Sequence, residues 1–256
     1  SWGRRTGGRE RAANIPPHMR FDFEKVGGTL VRRYKRFLAD VVIDGGEMVT
    51  AHCPNTGRMD GCAIPGSPVI LSRSCNPSRR LPCTLELVFA EGRWLNVNTL
   101  RPNLLVQEAI EGGRVLETAG WRFVRREATW GRSRFDLLLA RGEANASDLD
   151  ACCYIEVKNV TLFHEGVALF PDAVTTRGAK HLEELAAVVA GGGRAVQFYV
   201  VNDPACRLLR PADAIDPAYG RTLRAAAGQG VEVLAYTWVT TPEGMEVVGR
   251  IPVDLT

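Results

Sequence analysis

The sequence lacks any apolar run long enough to cross a membrane. Its longest apolar tracts, such as residues 195–201, have only the length of a strand, whereas a spanning helix needs about 20 apolar residues. The N-terminus contains arginines but no apolar segment of the kind found in secretory signals. We therefore predict a cytoplasmic protein without membrane contact.

Motifs of three large enzyme classes are also missing. The chain contains no G-x-x-x-x-G-K-[ST] loop, no G-x-G-x-x-G fingerprint and no G-x-S-x-G elbow. Nucleotide hydrolysis at a P-loop, dinucleotide-dependent redox chemistry and serine hydrolysis therefore lose their usual sequence support.

Cysteine is present but is poorly arranged for disulfides or metal binding. The seven cysteines are odd in number and none is spaced as C-x-x-C, so we expect reduced thiols in a cytoplasmic protein. The alternative is a zinc site, although the spacings match no common zinc module. That site would use His52, Cys53, Cys62, Cys75 and Cys83.

Lysine is scarce, since only four of the 32 basic residues are lysines. The arginines cluster at residues 4–11, 32–36, 122–134 and 207–224. On a chain with a formal net charge of only +3, such basic patches favour a local anionic partner. Scattered, solvated arginines are the alternative interpretation.

The composition along the chain indicates two domains behind a short tail. Residues 1–20 combine glycines, prolines and five arginines with little apolar content, which predicts a flexible basic tail. Residues 21–100 alternate short runs of β-formers with turn clusters and predict a small OB-like β-barrel. A short β-sandwich is the alternative for this segment.

Residues 101–256 alternate helices and strands and predict an α/β domain with a mixed sheet. Asn103 is a candidate N-cap for the first helix. The predicted elements are helix 103–111, strands 121–127, 134–140 and 153–158, helix 175–190, strand 195–201, helix 217–229 and strand 231–238.

Two of these strands carry the residues of a candidate metal site. Glu156 and Lys158 are two positions apart on a strand and share one face, and Asp136 joins them if the two strands pair. Two carboxylates suit Mg²⁺ or Mn²⁺, and a nearby lysine neutralises developing charge. Glu108 or Glu111 on the preceding helix is a candidate further acid. The alternative is a Glu–Lys ion pair at a strand end.

Two N-terminal segments are candidates for nucleic-acid contacts. The first has charge on both strand faces, which is typical of an OB-like surface for single strands or of an exposed edge strand. It comprises Arg32, Arg33, Tyr34, Lys35 and Arg36. In the second, Asn55 and Thr56 lie in a turn whose amides suit a phosphate, with turn chemistry alone as the alternative.

A C-terminal helix is a third candidate. Asp172 or Thr175 is placed to cap it, and Arg177 and His181 lie four residues apart on one face. Together with Lys180 they predict phosphate contact beside the metal. The alternative is a capped surface helix with a solvated polar face.

Several longer segments carry a family resemblance. They are R-R-Y-K-R-F-L-A-D-V (32–41), A-H-C-P-N-T-G-R-M (51–59), V-N-T (97–99), Y-I-E-V-K-N-V-T-L (154–162), F-P-D-A-V-T-T-R-G-A-K-H-L (170–182) and R-A-V (194–196). Through them the chain resembles the sugar fermentation stimulation protein A family of bacteria and archaea. Asn159 stands where Ser is common in that family.

The resemblance implies an N-terminal OB-like domain and a C-terminal domain like the PD-(D/E)xK nucleases. It also implies DNA binding and a link to sugar-utilisation gene expression. Asp136, Glu156 and Lys158 fall on the nuclease signature, and Glu108 falls on its helix acid.

We therefore predict a DNA-binding protein with a nuclease-like metal site that takes Mg²⁺ or Mn²⁺ and acts as a phosphodiesterase. A non-catalytic DNA-binding regulator of sugar-utilisation genes is the alternative. RNA stays open as a partner.

Overall fold

A computed structural model describes residues 19–55, 57–59, 62–143 and 148–256. Most of the predicted tail lies outside these ranges, but Met19–Arg20 form a short strand. This strand pairs with the last strand of the chain, Gly244–Ile251, and Phe21 is buried in the same core. The prediction of a tail is wrong for these two residues, because pairing with a distant strand leaves no local signal.

The described residues form sixteen strands and three α-helices. The strands are β1 (Met19–Arg20), β2 (Glu24–Tyr34), β3 (Leu38–Ile43), β4 (Met48–His52), β5 (Pro68–Arg73), β6 (Cys83–Ala90), β7 (Arg93–Asn96), β8 (Arg122–Trp130), β9 (Ser133–Ala140), β10 (Cys152–Val160), β11 (Leu162–His164), β12 (Val167–Phe170), β13 (Arg194–Val201), β14 (Leu208–Pro211), β15 (Glu232–Thr241) and β16 (Gly244–Ile251). The helices are α1 (Arg101–Glu111), α2 (Thr176–Ala190) and α3 (Pro217–Gly228). Within the described ranges, no helix is long and apolar enough to span a bilayer.

Strands β2 to β6 form a closed five-stranded barrel. Their order is β4-β3-β2-β5-β6, and a parallel pairing between β4 and β6 closes it. Leu30, Val41 and Leu85 fill its interior. Gly28 allows β2 and β3 to approach, since a Cβ there would lie 2.7 Å from the Val42 carbonyl oxygen. The closed barrel confirms the OB-like prediction against the β-sandwich alternative.

The C-terminal half is built on a seven-stranded mixed sheet in the order β1-β16-β15-β13-β10-β9-β8. Strands β10, β13 and β15 run parallel, and β13 is buried along nearly its whole length, as expected for a strand covered on both faces. Helix α1 packs on one face of the sheet, and α2 and α3 pack on the other. The predicted α/β class is therefore confirmed.

Some local predictions differ from the structure. Helix α1 begins at Arg101, because Pro102 is tolerated in the first turn. Asn103 therefore lies inside the helix and is not its N-cap, so that prediction is wrong. Strand β16 and the small sheet β11-β12-β14 have no counterpart in the predicted elements. The strands of the small sheet have only three or four residues, and such short strands carry a weak periodic signal.

The seven cysteines are free thiols. Cys53, Cys62 and Cys83 are buried in the barrel core, whereas Cys75 is exposed. Burial raises the pKa of the Cys62 thiol to about 12, which opposes the thiolate that zinc requires. The zinc alternative thus finds no support in the arrangement of these residues.

A buried polar junction joins the two halves next to the cleft described below. The Asn159 side chain donates to the Asn96 carbonyl oxygen at 3.1 Å and accepts from Asn202 Nδ2 at 2.7 Å. Asn202 in turn accepts from the Asn96 backbone N–H at 3.3 Å. Because these groups satisfy each other away from water, the junction holds the end of β10 against the barrel.

Candidate functional site

A cleft of about 860 Å³ lies where the barrel meets the α/β sheet. Both domains line it. The polar side chains around it are Arg36, Asn55, Arg58, Thr99, Asn103, Asp136, Glu156, Lys158, Asn159, Thr161, Asp172, Thr175, Arg177 and His181. The three residues of the predicted nuclease signature thus come together in one cavity, and four arginine and lysine side chains face it with three carboxylates.

Strands β9 and β10 bring Asp136 beside Glu156. Their backbone pairing ends at Leu137 opposite Ile155. Beyond that point Asp136 Oδ2 accepts a hydrogen bond from the Val157 backbone N–H at 2.7 Å. Its Oδ1 accepts from Asn103 Nδ2 at 2.7 Å. The Asp136 side chain therefore takes the place of a backbone hydrogen bond between β9 and β10, at the point where Asp136 lies beside Glu156.

The environment of Asp136 opposes its negative charge. Burial and the neighbouring charge of Glu156 raise the pKa of Asp136 to about 6, against the hydrogen bonds from Val157 and Asn103. Two carboxylates that share a poorly solvated site are stabilised by a cation between them.

Glu156 is only 3% exposed, and its two oxygens have different surroundings. Oε1 accepts from Lys158 Nζ at 2.5 Å and from His181 Nδ1. Burial raises the pKa of Glu156, but the hydrogen bond from His181 and the charge of Lys158 outweigh it, so the pKa is lowered. Oε2 is buried and has no hydrogen-bond partner among the described residues.

The donor set fits a hard divalent cation. A buried carboxylate oxygen without a donor is costly, and Glu156 Oε2 is such an atom. Asp136 supplies a second carboxylate, which lies beside Glu156 and accepts hydrogen bonds from Val157 and Asn103. Oxygen ligands of this kind suit Mg²⁺, Mn²⁺ and Ca²⁺.

Two predicted site residues lie away from the cleft. Glu108 is exposed on α1 and does not line the cavity, because the helix turns Asn103 toward it instead. Lys180 is also outside the lining and pairs with Glu184 on its own helix at 3.8 Å. Neither Glu108 nor Lys180 is therefore among the residues that line the cleft.

The basic segment of the barrel has mixed roles. Arg32 pairs with Asp40 at 2.7 Å and stacks over Tyr34 at 4.7 Å from the ring centroid. Lys35 and Arg36 form the β2–β3 turn with positive φ. Both are exposed, and Arg36 lines the cleft.

Arg33 points inward and contacts four backbone carbonyl oxygens. Its Nη2 donates to the carbonyls of Arg36, Asn55 and Gly57, and its Nη1 donates to that of Arg58, at distances of 2.7, 2.7, 2.8 and 3.0 Å. The guanidinium therefore hydrogen-bonds to the loop that borders the cleft. The structure assigns Arg33 a role in holding this loop.

The side chain of Asn55 stabilises a turn in the loop that borders the cleft. Asn55 Oδ1 accepts from the Gly57 N–H at 2.8 Å, which is the turn chemistry that such residues favour. Asn55 also lines the cleft. Thr56 lies outside the described residues.

Helix α2 presents Arg177 and His181 to the cleft from its first turns. Thr175 is the cap and accepts from the Gly178 N–H at 3.0 Å. Arg177 is exposed at the cleft. His181 also lines the cleft but is only 7% exposed, and its Nδ1 contacts Glu156.

Asn103 and Asp172 are site residues whose roles sequence reasoning missed. Asn103 holds Asp136, and Asp172 Oδ2 accepts from the Met59 N–H of the barrel at 3.3 Å. Gly57 also abuts Asp172, since a Cβ there would lie 2.7 Å from Oδ2. In the sequence, only their position beside recognisable motifs drew attention to these two residues. Their roles were not predictable because their hydrogen-bond partners are far away in the chain.

Comparison with known proteins identifies relatives of both domains. A family model described as the sugar fermentation stimulation protein RE domain matches residues 100–244, and one described as the SfsA N-terminal OB domain matches residues 31–97. The sugar fermentation stimulation protein homolog of Geotalea uraniireducens is 54% identical over 228 residues, which cover 89% of this chain and 96% of that protein. The homolog of Pelobacter propionicus is 55% identical over 231 residues, covering 90% and 97%.

A solved structure shares the whole architecture. It is described as Pyrococcus furiosus SfsA in complex with Ca²⁺, and it matches with a TM-score of 0.84 at 23% identity. The match covers 94% of this chain and all of that one. The family models, the curated relatives and the shared fold agree with the resemblance found in the sequence. The chain belongs to the sugar fermentation stimulation protein family.

Proposed function

We propose that this chain binds DNA along the interdomain cleft and cleaves its phosphodiester backbone with the help of Mg²⁺ or Mn²⁺. The observation that carries the proposal is the pair Asp136 and Glu156, with Glu156 Oε2 buried and unpartnered. This pair of acids beside a lysine is not a surface ion pair, because Glu156 is almost fully enclosed and the pKa of Asp136 is raised to about 6 by desolvation and by the charge of Glu156.

The residues of the cleft divide the work of phosphodiester hydrolysis. Asp136 and Glu156 hold the ion, which when bound polarises a phosphoryl oxygen and acidifies a water molecule. Lys158 is held on Glu156 Oε1 at 2.5 Å and is placed to orient the attacking water or to stabilise negative charge on the phosphate. The Pyrococcus relative described with Ca²⁺ supports a divalent ion as the partner of these acids.

Arginines at the rim supply contacts to the DNA backbone. Arg36 and Arg58 come from the barrel and Arg177 comes from α2, so a strand in the cleft would meet cationic side chains from both domains. Phosphate contacts of this kind set affinity and register without reading sequence. DNA binding therefore depends on the two domains together.

A non-catalytic DNA-binding protein is the second candidate. Two observations favour it. Among the described residues no three His, Cys, Asp or Glu side chains already form a metal-binding cluster, and Glu108 is not among the residues that line the cleft. In that case the nuclease-like fold serves as a binding platform that influences sugar-utilisation genes.

A cleavage assay separates the two candidates. Labelled single-stranded and double-stranded DNA and RNA are incubated with MgCl₂, MnCl₂ or EDTA, with Asp136→Ala and Lys158→Ala as matched variants. We expect metal-dependent cleavage of DNA that both variants lose. If wild type and variants give the same background with either metal while DNA is still bound, the nuclease proposal fails and the binding platform stands.

A further inference from the structure

The two oxygens of Glu156 point to a role for His181 that its position on helix α2 does not reveal. We propose that His181 is a positioning residue that engages one oxygen of Glu156, leaves the other for the metal ion, and so sets which divalent ion the cleft prefers. The inference rests on the proposed metal site and adds the determinant of its ion selectivity.

His181 and Lys158 converge on the same atom. Lys158 Nζ lies 2.5 Å from Glu156 Oε1, and His181 Nδ1 bonds to that oxygen too. Oε2 of the same carboxylate is buried without a partner among the described residues. The donors are therefore distributed unequally, and the open oxygen is the one that can accept a cation.

The ring of His181 is fixed in this orientation. Its Nε2 accepts from Arg177 Nε at 3.5 Å, so Nδ1 carries the proton that is shared with Glu156. The ring also packs edge-on against Phe135 with 6.3 Å between centroids and is 7% exposed. Both ring nitrogens of His181 are engaged by neighbouring side chains, so the imidazole acts on Glu156.

An acid with a single open oxygen favours a small ion. Mg²⁺ demands near-octahedral geometry and takes carboxylates through one oxygen, whereas Ca²⁺ accepts two oxygens from one carboxylate. Because Oε1 already accepts hydrogen bonds from His181 and Lys158, binding of an ion through both oxygens of Glu156 is disfavoured. Loss of the His181 hydrogen bond makes Oε1 more available as a ligand. The preference of the site should then shift toward Ca²⁺.

Three substitutions test this role. His181→Leu removes the donor while keeping much of the volume, and His181→Asn retains an amide donor near the position of Nδ1. Lys180→Leu is the matched control, since Lys180 is the neighbouring residue on α2 but lies outside the cleft. Metal-free proteins are titrated with MgCl₂ and with CaCl₂ by calorimetry, and circular dichroism establishes that each variant is folded.

We expect His181→Leu to weaken Mg²⁺ binding by about tenfold, the size typical of residues that orient metal ligands, and to weaken Ca²⁺ binding much less. The ratio of the two affinities should return toward wild type in His181→Asn and stay unchanged in Lys180→Leu. A purely structural role would lower both affinities together and leave the ratio unmoved, which would overturn the inference.

Two further outcomes are decisive. Absence of binding of either ion to wild type would overturn the proposed metal site and the inference with it, whereas binding with an unchanged ratio overturns the inference alone. If His181→Leu does not fold, His181→Met removes the same donor and is judged by the same ratio.

Discussion

The backbone N–H of Val157 donates to Asp136 Oδ2 at 2.7 Å. The residue between Glu156 and Lys158 is therefore bound directly to the third member of the candidate site. This contact links β9 to β10 at the point where their backbone pairing has ended. It explains how two acids separated by twenty positions of sequence come to share one poorly solvated cavity.

Asp136 should make the metal-free protein less stable as the pH rises. Because its pKa is raised from 3.8 to about 6, the folded state retains a proton that the unfolded chain has released in this window, so the unfolding free energy falls from pH 4 to pH 6. At pH 7.5 in EDTA, Asp136→Asn should then have a higher urea midpoint than wild type. The difference in the free energy of unfolding should be about 1–3 kcal/mol. The difference should shrink at pH 3.5.

The exposed Asp22→Asn is the control for that experiment. A gain of stability in both variants would indicate a general effect of net charge and not an effect of desolvating the Asp136 carboxylate. If Asp136→Asn were less stable at pH 7.5, the hydrogen bonds of the ionised carboxylate would outweigh its desolvation, and the assigned direction of the pKa would be wrong.

Arg33 should matter for the loop and not for direct contact with DNA. Arg33→Ala removes donors from four carbonyl oxygens, with an expected loss of about 2–3 kcal/mol in urea unfolding and faster amide exchange at residues 55–59. Arg33→Lys should recover little, since one ammonium does not reproduce the planar fork. Arg32→Ala is the control, because the Arg32 side chain is 66% exposed and pairs with Asp40 of β3.

Gly57 should be required for the approach of the barrel loop to Asp172. In Gly57→Ala the new Cβ would lie 2.7 Å from Asp172 Oδ2 and 3.0 Å from Asn55 Oδ1, so we expect lower stability and weaker DNA binding. Adding Asp172→Ala should recover part of the stability in a double-mutant cycle. Gly249→Ala is matched to it, since nothing lies within 4 Å of its Cβ position. Equal effects at the two glycines would exclude a specific close contact.

The salt dependence of DNA binding should identify the arginines that meet phosphates. Arg36→Ala and Arg177→Ala, both at the cleft, should each reduce the slope of log affinity against log salt by about one unit. Lys180→Ala should leave the slope unchanged because Lys180 lies outside the cleft. A reduced slope for Lys180→Ala alone would place the DNA on the outer face of α2.

Much of the fold was predictable because it rests on local periodicity. The continuous apolar run of β13 indicated a buried strand, and the structure has it. The missed elements were those held from a distance. β1 exists because it pairs with β16, and no local pattern in Met19–Arg20 records that partner.

The sequence by itself determined the family, the two domain types, and the presence of Asp136, Glu156 and Lys158 on neighbouring strands, because each of these depends on short-range pattern or on residue identity. Only the tertiary structure decided the surroundings of those residues. It turned Glu108 outward and His181 inward, committed Arg33 to four carbonyl oxygens, and left one oxygen of Glu156 without a donor. Hydrogen bonding and desolvation depend on atoms that folding brings together from distant positions, so the chemistry of the site is set by contacts and not by motif.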